Sequence, residues 1–424
     1  MFSTKSTYRR LDKKSTPIEE DNIFLRLIST FVSSLRNAFL LRKNRPRTYC
    51  KASRPKVLIV ERQLLEYRVA FYEKLRILLE YQGIELQLLI GEGTPAEIKK
   101  QNQTKLPWTI SIPTRYFLAD KICWQPFGRY ARDADMVIVM HENKLIYNLW
   151  LLSFGRPRRL AFWGHGKNMQ SNHPNGFKER FKRWTINKVD WWFAYTDSSA
   201  ALIHAAGFPL KNTTIVDNAV DTNEMSLFCS EVSQHDCDLL RHSFSAEHGK
   251  IGLYIGSLYH EKRLDFLLAA AHEIHKKVPD FHLLIVGAGP DQAVIENAAK
   301  QFSWIHYAGP LQGRQKALAL MVADVMLNPG LVGLGVLDSF VSGKPMFTTD
   351  CGLHSPEISY LISGVNGVMT PNNVLLYADE IISVLNDPTM LSTLQSNARA
   401  TASRYTIENM ADRICTGILN CIAN

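Results

Sequence analysis

Short apolar runs alternate with amphipathic stretches along two successive parts of the chain. Runs typical of buried strands are Lys56–Glu61, Ile84–Ile90, Met136–Met140, Leu160–Trp163, Trp191–Tyr195, Ile251–Ile255, Phe281–Val286, Val325–Leu327 and Pro345–Thr349. Stretches with helical periodicity are Tyr67–Tyr81, Leu264–Val278, Asp291–Phe302 and Ile407–Ile422. Apolar strands that alternate with helices predict parallel sheets covered on both faces. The fold class is therefore expected to be α/β, with two Rossmann-like domains facing a central cleft.

The domain boundaries follow from the same pattern. Residues 1–54 form a basic amphipathic extension, residues 55–215 the first domain, and residues 216–405 the second domain. Residues 406–424 form a helix expected to return to the first domain. A linker is expected near residues 208–250, with the acids and histidines of His235–Asp238 in solvent. Because open α/β sheets bind ligands at the carboxyl ends of their strands, the cleft is the expected binding site.

The net charge of +9 is concentrated at the amino terminus. Residues 1–54 contain thirteen Lys or Arg and four Asp or Glu, whereas the other 370 residues contain 36 of each kind. A nucleic-acid-binding protein would carry its basic surface on the folded domains. The charge pattern therefore argues against a nucleic-acid partner.

The amino-terminal extension has the character of a membrane-surface helix. Its apolar face carries Phe24, Leu27, Ile28, Phe31, Val32, Leu35, Ala38 and Phe39, and a basic cluster follows from Arg42 to Lys51. Such a helix favours an anionic membrane surface. The alternative is a disordered tail whose helix packs on a domain. Arg26 and Arg36 interrupt the apolar run, which excludes a spanning helix and argues against a secretory signal.

The seven cysteines are scattered, with no Cys-x-x-Cys pair and no zinc-type spacing to histidine. This spacing indicates a reducing compartment, and no metal site is expected. The predicted location is cytoplasmic, peripherally associated with the inner face of the cell membrane. A second basic and aromatic stretch, Gly176–Val189, is typical of an interfacial surface or, equally, of a solvated helix face.

Classical cofactor motifs are absent from the sequence. Gly287-Ala-Gly289-Pro is too short for a dinucleotide fingerprint, and there is no Walker loop. A nicotinamide or flavin cofactor is therefore disfavoured. No cofactor is expected.

Three loops carry candidate chemistry. Asn328–Pro345 joins a glycine-rich turn to a segment containing Asp338, and free amides at a helix start can bind anions. Gly256–Arg263 follows a strand and offers Lys262 and Arg263 to a diphosphate. His165 lies between two glycines after a strand, a position that suits a ring nitrogen aimed into a cleft. Capping turns, solvated cations and a turn histidine without a function are the alternative interpretations.

Together these stretches resemble the retaining glycosyltransferases of family 4, which have the GT-B fold. The resemblance covers roughly residues 55–410. It rests on Gly256–Arg263, Asn218-Ala-Val-Asp221, Asn328–Pro345, and Gly352–Gly367 with Pro356-Glu357 and Asn366-Gly367. It implies that the first domain binds the acceptor and the second binds a nucleotide-sugar donor.

The resemblance also implies roles for individual residues. Lys262 would bind the donor diphosphate, and His165 would lie near the donor sugar, so these two are the candidate catalytic residues. Asp338 would hold the ribose as the second acid of a paired-acid motif. The remaining candidate donor contacts are Gly256, Ser257, Arg263, Gly333 and Leu334. The chain departs from the family at Gly330, where the first acid is usual, and at Ser257, where arginine is common.

The implied activity is transfer of a hexose from a nucleotide-diphosphate sugar to a glycan or lipid-linked acceptor. The resemblance implies retention of the anomeric configuration, no metal, and a role in surface polysaccharide biosynthesis. Two alternatives remain open at this point. One is a nucleotide-sugar epimerase of the same fold, and the other is a non-catalytic scaffold that binds sugar nucleotides.

Overall fold

The computed structural model describes residues 54–99, 103–153, 155–166 and 185–424. Two parallel sheets with helices on their faces confirm the predicted class of two Rossmann-like α/β domains. The amino-terminal helix and its basic cluster lie outside the described residues, as does most of the Gly176–Val189 stretch. In the described part of the chain, no helix is long and apolar enough to cross a membrane.

The first domain is built on a seven-stranded sheet. Its strands are β1 (Lys56–Glu61), β2 (Glu85–Ile90), β3 (Ile110–Ser111), β6 (Met136–Met140), β7 (Arg159–Gly164), β8 (Trp191–Ala194) and β9 (Thr213–Ile215). Their order is β3-β2-β1-β6-β7-β8-β9, and every pairing is parallel. An antiparallel pair, β4 (Arg115–Phe117) and β5 (Ile122–Trp124), forms a separate small sheet. The central strands are buried along their length because helices cover both faces.

The second domain has a six-stranded parallel sheet. Its strands are β10 (Lys250–Ile255), β11 (Phe281–Val286), β12 (Ile305–Gly309), β13 (Val325–Leu327), β14 (Met346–Thr349) and β15 (Gly367–Thr370). Their order is β12-β11-β10-β13-β14-β15. The two edge strands β12 and β15 were not predicted. β12 has only one fully buried residue, so its apolar pattern is weak.

The helices connect these strands. In chain order they are α1 (Val69–Tyr81), α2 (Pro95–Ile98), α3 (Gly128–Ala131), α4 (Ile146–Ser153), α5 (Asp197–Ala205), α6 (Asn223–Glu231), α7 (Gln234–Ser243), α8 (Leu264–Lys277), α9 (Gln292–Gln301), α10 (Gly313–Val322), α11 (Val336–Ser342), α12 (Val374–Leu385), α13 (Pro388–Ala402) and α14 (Ile407–Ala423). A 3-10 turn, Glu66–Arg68, leads directly into α1.

The segment predicted as a linker is largely helical, which corrects the expectation for residues 208–250. β9 still belongs to the first sheet, and α6 and α7 pack against α10 of the second domain. The side chain of Cys237 is buried in this contact, so His235–Asp238 lie on a packed helix and not in a loose connection, while the side chains of His235 and Asp238 are exposed as expected. The true crossover is the short stretch Val216–Thr222.

The carboxyl-terminal helix ties the two domains together. α14 packs on α1, β8 and β9 of the first domain. The preceding Arg404 donates to the Asp217 carboxylate of the crossover at 3.1 Å, and Arg413 of α14 forms an ion pair with the same carboxylate at 3.0 Å. One apolar cluster runs from the first sheet through this helix into the second domain. The edges of the two sheets are therefore held in a defined relation.

Candidate functional site

The strand orders place a switch point in each sheet. The chain runs from β1 to β2 and β3 on one side, and then returns to β6 on the other side of β1. In the second sheet the same reversal lies between β10 and β13. Loops at the carboxyl ends of strands diverge at such points and leave a crevice for a ligand. These loops hold most of the candidate residues.

The structure brings the two candidate loops of the second domain into direct contact. The Leu331 amide donates to the Glu261 carbonyl at 2.9 Å. The Lys262 ammonium donates to the Leu331 carbonyl, and the Arg263 guanidinium donates to the Pro329 carbonyl at 3.3 Å. Because β10 and β13 pair as neighbours, loops about 70 residues apart in sequence form one wall of the cleft.

Gly330 marks the closest approach of these loops. A Cβ atom at this position would lie 2.4 Å from the Glu261 carbonyl oxygen and 2.5 Å from the Lys262 carbonyl carbon. Both are backbone atoms, which cannot move aside as a flexible side chain could. The loop packing therefore explains why glycine occupies the position where the resemblance places an acid.

Lys262 is a partly buried cation. Its ammonium lies 5.7 Å from the centre of the Tyr259 ring and, among the described residues, it forms no ion pair with a carboxylate. Burial lowers the pKa of Lys262 to about 8, because removal from water penalises the charged form. An anion bound in the cleft would restore that charge.

Arg263 is committed to holding the protein's own loop. It occupies the left-handed region with φ 57°, and its guanidinium donates to the Thr349 hydroxyl at 3.0 Å as well as to Pro329. The same group lies 4.4 Å from the Phe266 ring centre. The sequence assigned this residue to the ligand, whereas the structure shows that its side chain connects β10, β13 and β14.

Asp338 has an intramolecular partner. Lys316 of α10 donates to its carboxylate at 2.8 Å, and both side chains are about three-quarters buried. The helix that carries Asp338 has only seven residues, so its dipole is short. Free backbone amides are the more direct hydrogen-bond donors to an anion here. The N–H groups of Gly333 and Leu334 donate to no described residue.

Gly256 and Ser257 begin the first of these loops. Gly256 has φ 153°, a conformation that favours glycine, and its amide donates to Val286 at 3.0 Å. The Ser257 carbonyl accepts from the Tyr254 hydroxyl at 2.8 Å. Gly287 and Gly289 allow this close packing, because a Cβ on either would meet the 256–258 backbone within about 2 Å. The Gly-Ala-Gly segment thus has a packing role.

His165 lies at the carboxyl edge of the first sheet. It follows β7 between Gly164 and Gly166, and a side chain at Gly166 would collide with Ile203. The imidazole lies 4.2 Å from the Tyr195 ring, measured between ring centres. Tyr195 directly follows β8, so the two rings form one aromatic surface on this edge.

Arg68 is a cleft-edge residue that the sequence did not single out. It ends the 3-10 turn before α1 and is only 7% exposed. Its guanidinium lies 5.3 Å from the Trp163 ring and 6.0 Å from the Tyr195 ring. Among the described residues, the one hydrogen-bond partner of the guanidinium group is the Met410 sulfur at 3.8 Å. Arg68 lies within the predicted helical stretch Tyr67–Tyr81, where the sequence gives no reason to select it. A basic residue at a helix start is common on solvated surfaces.

Glu61, at the end of β1, is a second group that the sequence missed. The Tyr72 hydroxyl donates to its carboxylate at 2.5 Å. Burial raises the pKa of Glu61 to about 7, an effect that the nearby Arg68 partly opposes. The first-domain edge thus offers an acid that titrates near neutral pH.

His354 fastens the glycine-rich loop from its other side. The Val332 amide donates to its Nδ1 at 3.2 Å, and its Nε2 lies 2.8 Å from the Thr349 carbonyl oxygen. A ring that accepts at Nδ1 and donates at Nε2 is neutral. The Ser355 amide also donates to the Val332 carbonyl at 2.9 Å. The loop is therefore preorganised from both flanks.

Residues 249–387 match the family described as glycosyl transferases group 1. This range contains both contacting loops, Asp338 and His354. This part of the second domain is therefore similar to the group 1 glycosyltransferases. The matched part is a third of the chain, and it includes every candidate donor contact named above.

Two curated relatives are similar to this chain. The chain is 24% identical over 178 residues to alpha-monoglucosyldiacylglycerol synthase of Acholeplasma laidlawii, covering 41% of this chain and 44% of that protein. It is 22% identical over 238 residues to 2-deoxystreptamine glucosyltransferase of Streptomyces kanamyceticus, covering 54% and 60%. The chain thus spans about half the length of the curated relatives it matches.

Solved structures extend the likeness to both domains. Anabaena HepE in complex with UDP superposes with a TM-score of 0.62 at 16% identity, covering 86% of this chain and 99% of that one. Sucrose-phosphate synthase from Thermosynechococcus elongatus gives a TM-score of 0.62 at 14% identity, covering 87% and 100%. At these identities the likeness shows the fold, and that fold is GT-B.

Proposed function

We propose that this chain transfers a hexose from a nucleotide-diphosphate sugar to a glycan or lipid-linked acceptor. The observation that carries the proposal is the group 1 match over residues 249–387, which includes the paired loops of the cleft wall. HepE, a protein of the same fold, binds UDP and UDP-glucose. A cleft between two Rossmann-like domains, with a preorganised amide loop and a partly buried lysine, suits such a donor.

The chemistry follows from where charge develops. The bond between the sugar carbon and the phosphate oxygen breaks, and its electron pair passes to the diphosphate. Lys262 and the amides of Gly333 and Leu334 stabilise that charge, which is usually the largest catalytic contribution.

Asp338 holds the ribose, and His165 lies near the sugar. The acceptor oxygen forms the new bond on the leaving-group face, which retains the configuration, and its proton passes to the leaving phosphate. No metal is required when these donors carry the charge.

The acceptor and the location belong to the same proposal. One matched relative is named for synthesis of a glucosyl lipid, and another is a phosphatidyl-myo-inositol mannosyltransferase of Mycobacterium tuberculosis. The basic extension of this chain adds a means of holding the protein at an anionic surface. These observations favour a family 4 enzyme at the inner face of the cell membrane that builds a surface polysaccharide or a lipid-linked glycan.

A donor panel tests the activity. Purified protein is incubated with UDP-, GDP-, ADP- and dTDP-sugars together with lipid and glycan acceptors, and release of nucleotide diphosphate is measured. Acceptor-dependent release with an axial product linkage from an axial donor supports a retaining transferase. Binding of a donor by calorimetry without turnover would instead indicate the scaffold, and interconversion of sugars without transfer would indicate the epimerase.

Donor binding is expected to weaken at alkaline pH. The pKa of Lys262 is lowered to about 8 in the free protein, so the charged form that attracts the diphosphate is present below that pH and is lost above it. The association constant should be flat from about pH 6 to 7.5 and should fall about tenfold per pH unit above about 8. Calorimetry across this range measures it.

Lys262→Arg is the matched control for this pH dependence. An arginine stays charged throughout the range, so its variant should bind donor with no alkaline fall. An equal fall in both proteins would assign the pH dependence to another group.

Removal of residues 1–54 is expected to release the protein from membranes. The segment carries thirteen basic residues, and each cation near the headgroups contributes about 1 kcal/mol. Sedimentation with vesicles of phosphatidylglycerol should show loss of binding, whereas activity on a water-soluble acceptor is unchanged. Substitution of the basic residues Arg42–Lys51 by glutamine is the milder comparison. Undiminished binding of the truncated protein would contradict the proposal.

A further inference from the structure

The second domain provides fewer cations for a diphosphate than its sequence suggests. Of the two basic side chains in the Gly256–Arg263 loop, Arg263 is used to hold Pro329 and Thr349. Lys262, whose ammonium donates to a single described partner, the Leu331 carbonyl, is the cation of this loop that remains for the diphosphate, and Ser257 is neutral. A sugar-linked diphosphate carries two negative charges, and a third develops as the sugar leaves. One partly buried lysine does not balance them.

The opposite edge of the cleft holds a buried positive charge that forms no ion pair among the described residues, although the Glu61 carboxyl acts on it from beyond ion-pair distance. Arg68 is more than nine-tenths buried, yet no carboxylate of a described residue lies within ion-pair distance of its guanidinium. Its surroundings are the faces of Tyr67, Phe71, Trp163 and Tyr195, at 5.2 to 6.0 Å. A buried charge is costly unless it is paired, and rings alone compensate only part of that cost.

Contacts across the crossover connect this arginine to the glycine-rich loop of the second domain. The Met410 sulfur touches both the Arg68 guanidinium and the amide of Ala219 in the crossover. The adjacent Asn218 donates to Glu357 at 2.5 Å, and Tyr360 donates back to the Asn218 carbonyl at 3.1 Å. Glu357 follows Ser355, whose amide is bonded to Val332 of the glycine-rich loop. A short chain of contacts therefore links the two edges.

We propose that Arg68 is a phosphate-binding residue that supplies the second cation for the donor diphosphate from the first domain. This inference rests on the proposed function. Lys262 holds the diphosphate from one side, and Arg68 donates to the phosphate nearest the sugar from the other. Its planar donors match phosphate oxygens, and the aromatic faces fix the guanidinium plane without occupying its N–H groups.

The position of Arg68 gives it a specific role in the reaction. It lies beside Tyr195, which contacts His165, the residue assigned to the sugar side of the donor. The phosphate that leaves with the electron pair of the broken bond is the one next to the sugar. Arg68 therefore stabilises the leaving phosphate. A nucleoside monophosphate lacks this second phosphate, so it offers Arg68 no group to bind.

The test compares a nucleoside diphosphate with its monophosphate. Inhibition constants of UDP and UMP, or of GDP and GMP if the protein prefers guanine, are measured under turnover for wild type and Arg68→Gln. Loss of a charge-assisted contact should raise the inhibition constant of the diphosphate about 10- to 100-fold. The inhibition constant of the monophosphate should stay within about threefold of its wild-type value. The value of kcat/KM for the donor should fall by a similar factor.

Two further variants separate binding from folding. Arg76→Gln removes a cation from α1, the helix that follows Arg68, where it lies over Trp108, and should change neither constant. If Arg68→Gln does not fold, Arg68→Lys keeps the charge without the planar fork and should still show a selective loss for the diphosphate. Equal changes for diphosphate and monophosphate, or no change, would overturn the inference. A wild-type protein that binds no nucleoside diphosphate would instead refute the proposed function.

Discussion

Replacing Gly330 with glutamate is expected to abolish transfer, although it introduces the acid that the resemblance to family 4 places here. A Cβ at this position lies 2.4 Å from the Glu261 carbonyl oxygen and 2.6 Å from that of Lys262. The two loops must then separate, which breaks the bond from the Leu331 amide and shifts the Lys262 ammonium. Displacement of a catalytic group by about 1 Å can cost about 100-fold in rate, so kcat/KM should fall at least that far.

The chain offers a matched control nearby. Gly335 belongs to the same loop, but its backbone is in the right-handed helical region with φ −59°, and a Cβ added there would meet no other atom within 4 Å. Gly335→Ala should retain activity within about threefold. Gly330→Ala should already lower both activity and the melting temperature, because overpacking costs about 1–3 kcal/mol. An active Gly330→Glu variant would contradict this prediction. It would show that the two loops can separate and that an acid at this position can bind the sugar.

Replacing Lys262 with methionine is expected to lower kcat/KM by about 100- to 1000-fold, the usual cost of removing one preorganised donor from a developing charge. Methionine preserves the apolar stem beside Tyr259 and removes only the ammonium group. The bond to the Leu331 carbonyl is lost with it. Steady-state kinetics with the preferred donor, together with a thermal melt, measure both consequences.

Comparison of two substitutions shows which role of Lys262 matters. Lys262→Arg keeps a charged donor and should retain much of the activity lost in Lys262→Met. Lys277→Met, which removes an exposed lysine paired with Asp379 away from the cleft, should have no kinetic effect. If Lys262→Met stays within about threefold of wild type, the ammonium group serves loop structure and does not meet the diphosphate.

Local patterns predicted the regular elements because burial is periodic. The pattern predicted three strands with the same first and last residues as in the structure, Met136–Met140, Phe281–Val286 and Val325–Leu327. A central parallel strand is apolar on both faces, so its ends are clear in the sequence. The edge strands β12 and β15 and the helices α6 and α7 were missed. Their apolar residues are fewer, and their burial depends on which neighbour covers them.

Neighbouring strands also explain how far the site could be predicted. A glycine-rich loop and a basic loop each follow a predicted strand, and the pairing of β10 with β13 places them in contact. Arg263 shows the limit. Its sequence position is that of a ligand-binding cation, but its side chain is bonded to Pro329 and Thr349, partners 66 and 86 residues away.

The sequence by itself determined the two-domain α/β class, the loops that carry the candidate chemistry, and the basic, amphipathic character of the amino-terminal extension. Each of these depends on residues that are close together in the chain. Only the tertiary structure decided which side chains remain available to a ligand. It showed that Gly330 is required by a close backbone contact, that His354 holds the glycine-rich loop, and that Arg68 is buried with no ion-pair partner among the described residues. Availability depends on partners brought together by folding, and spacing along a chain does not record them.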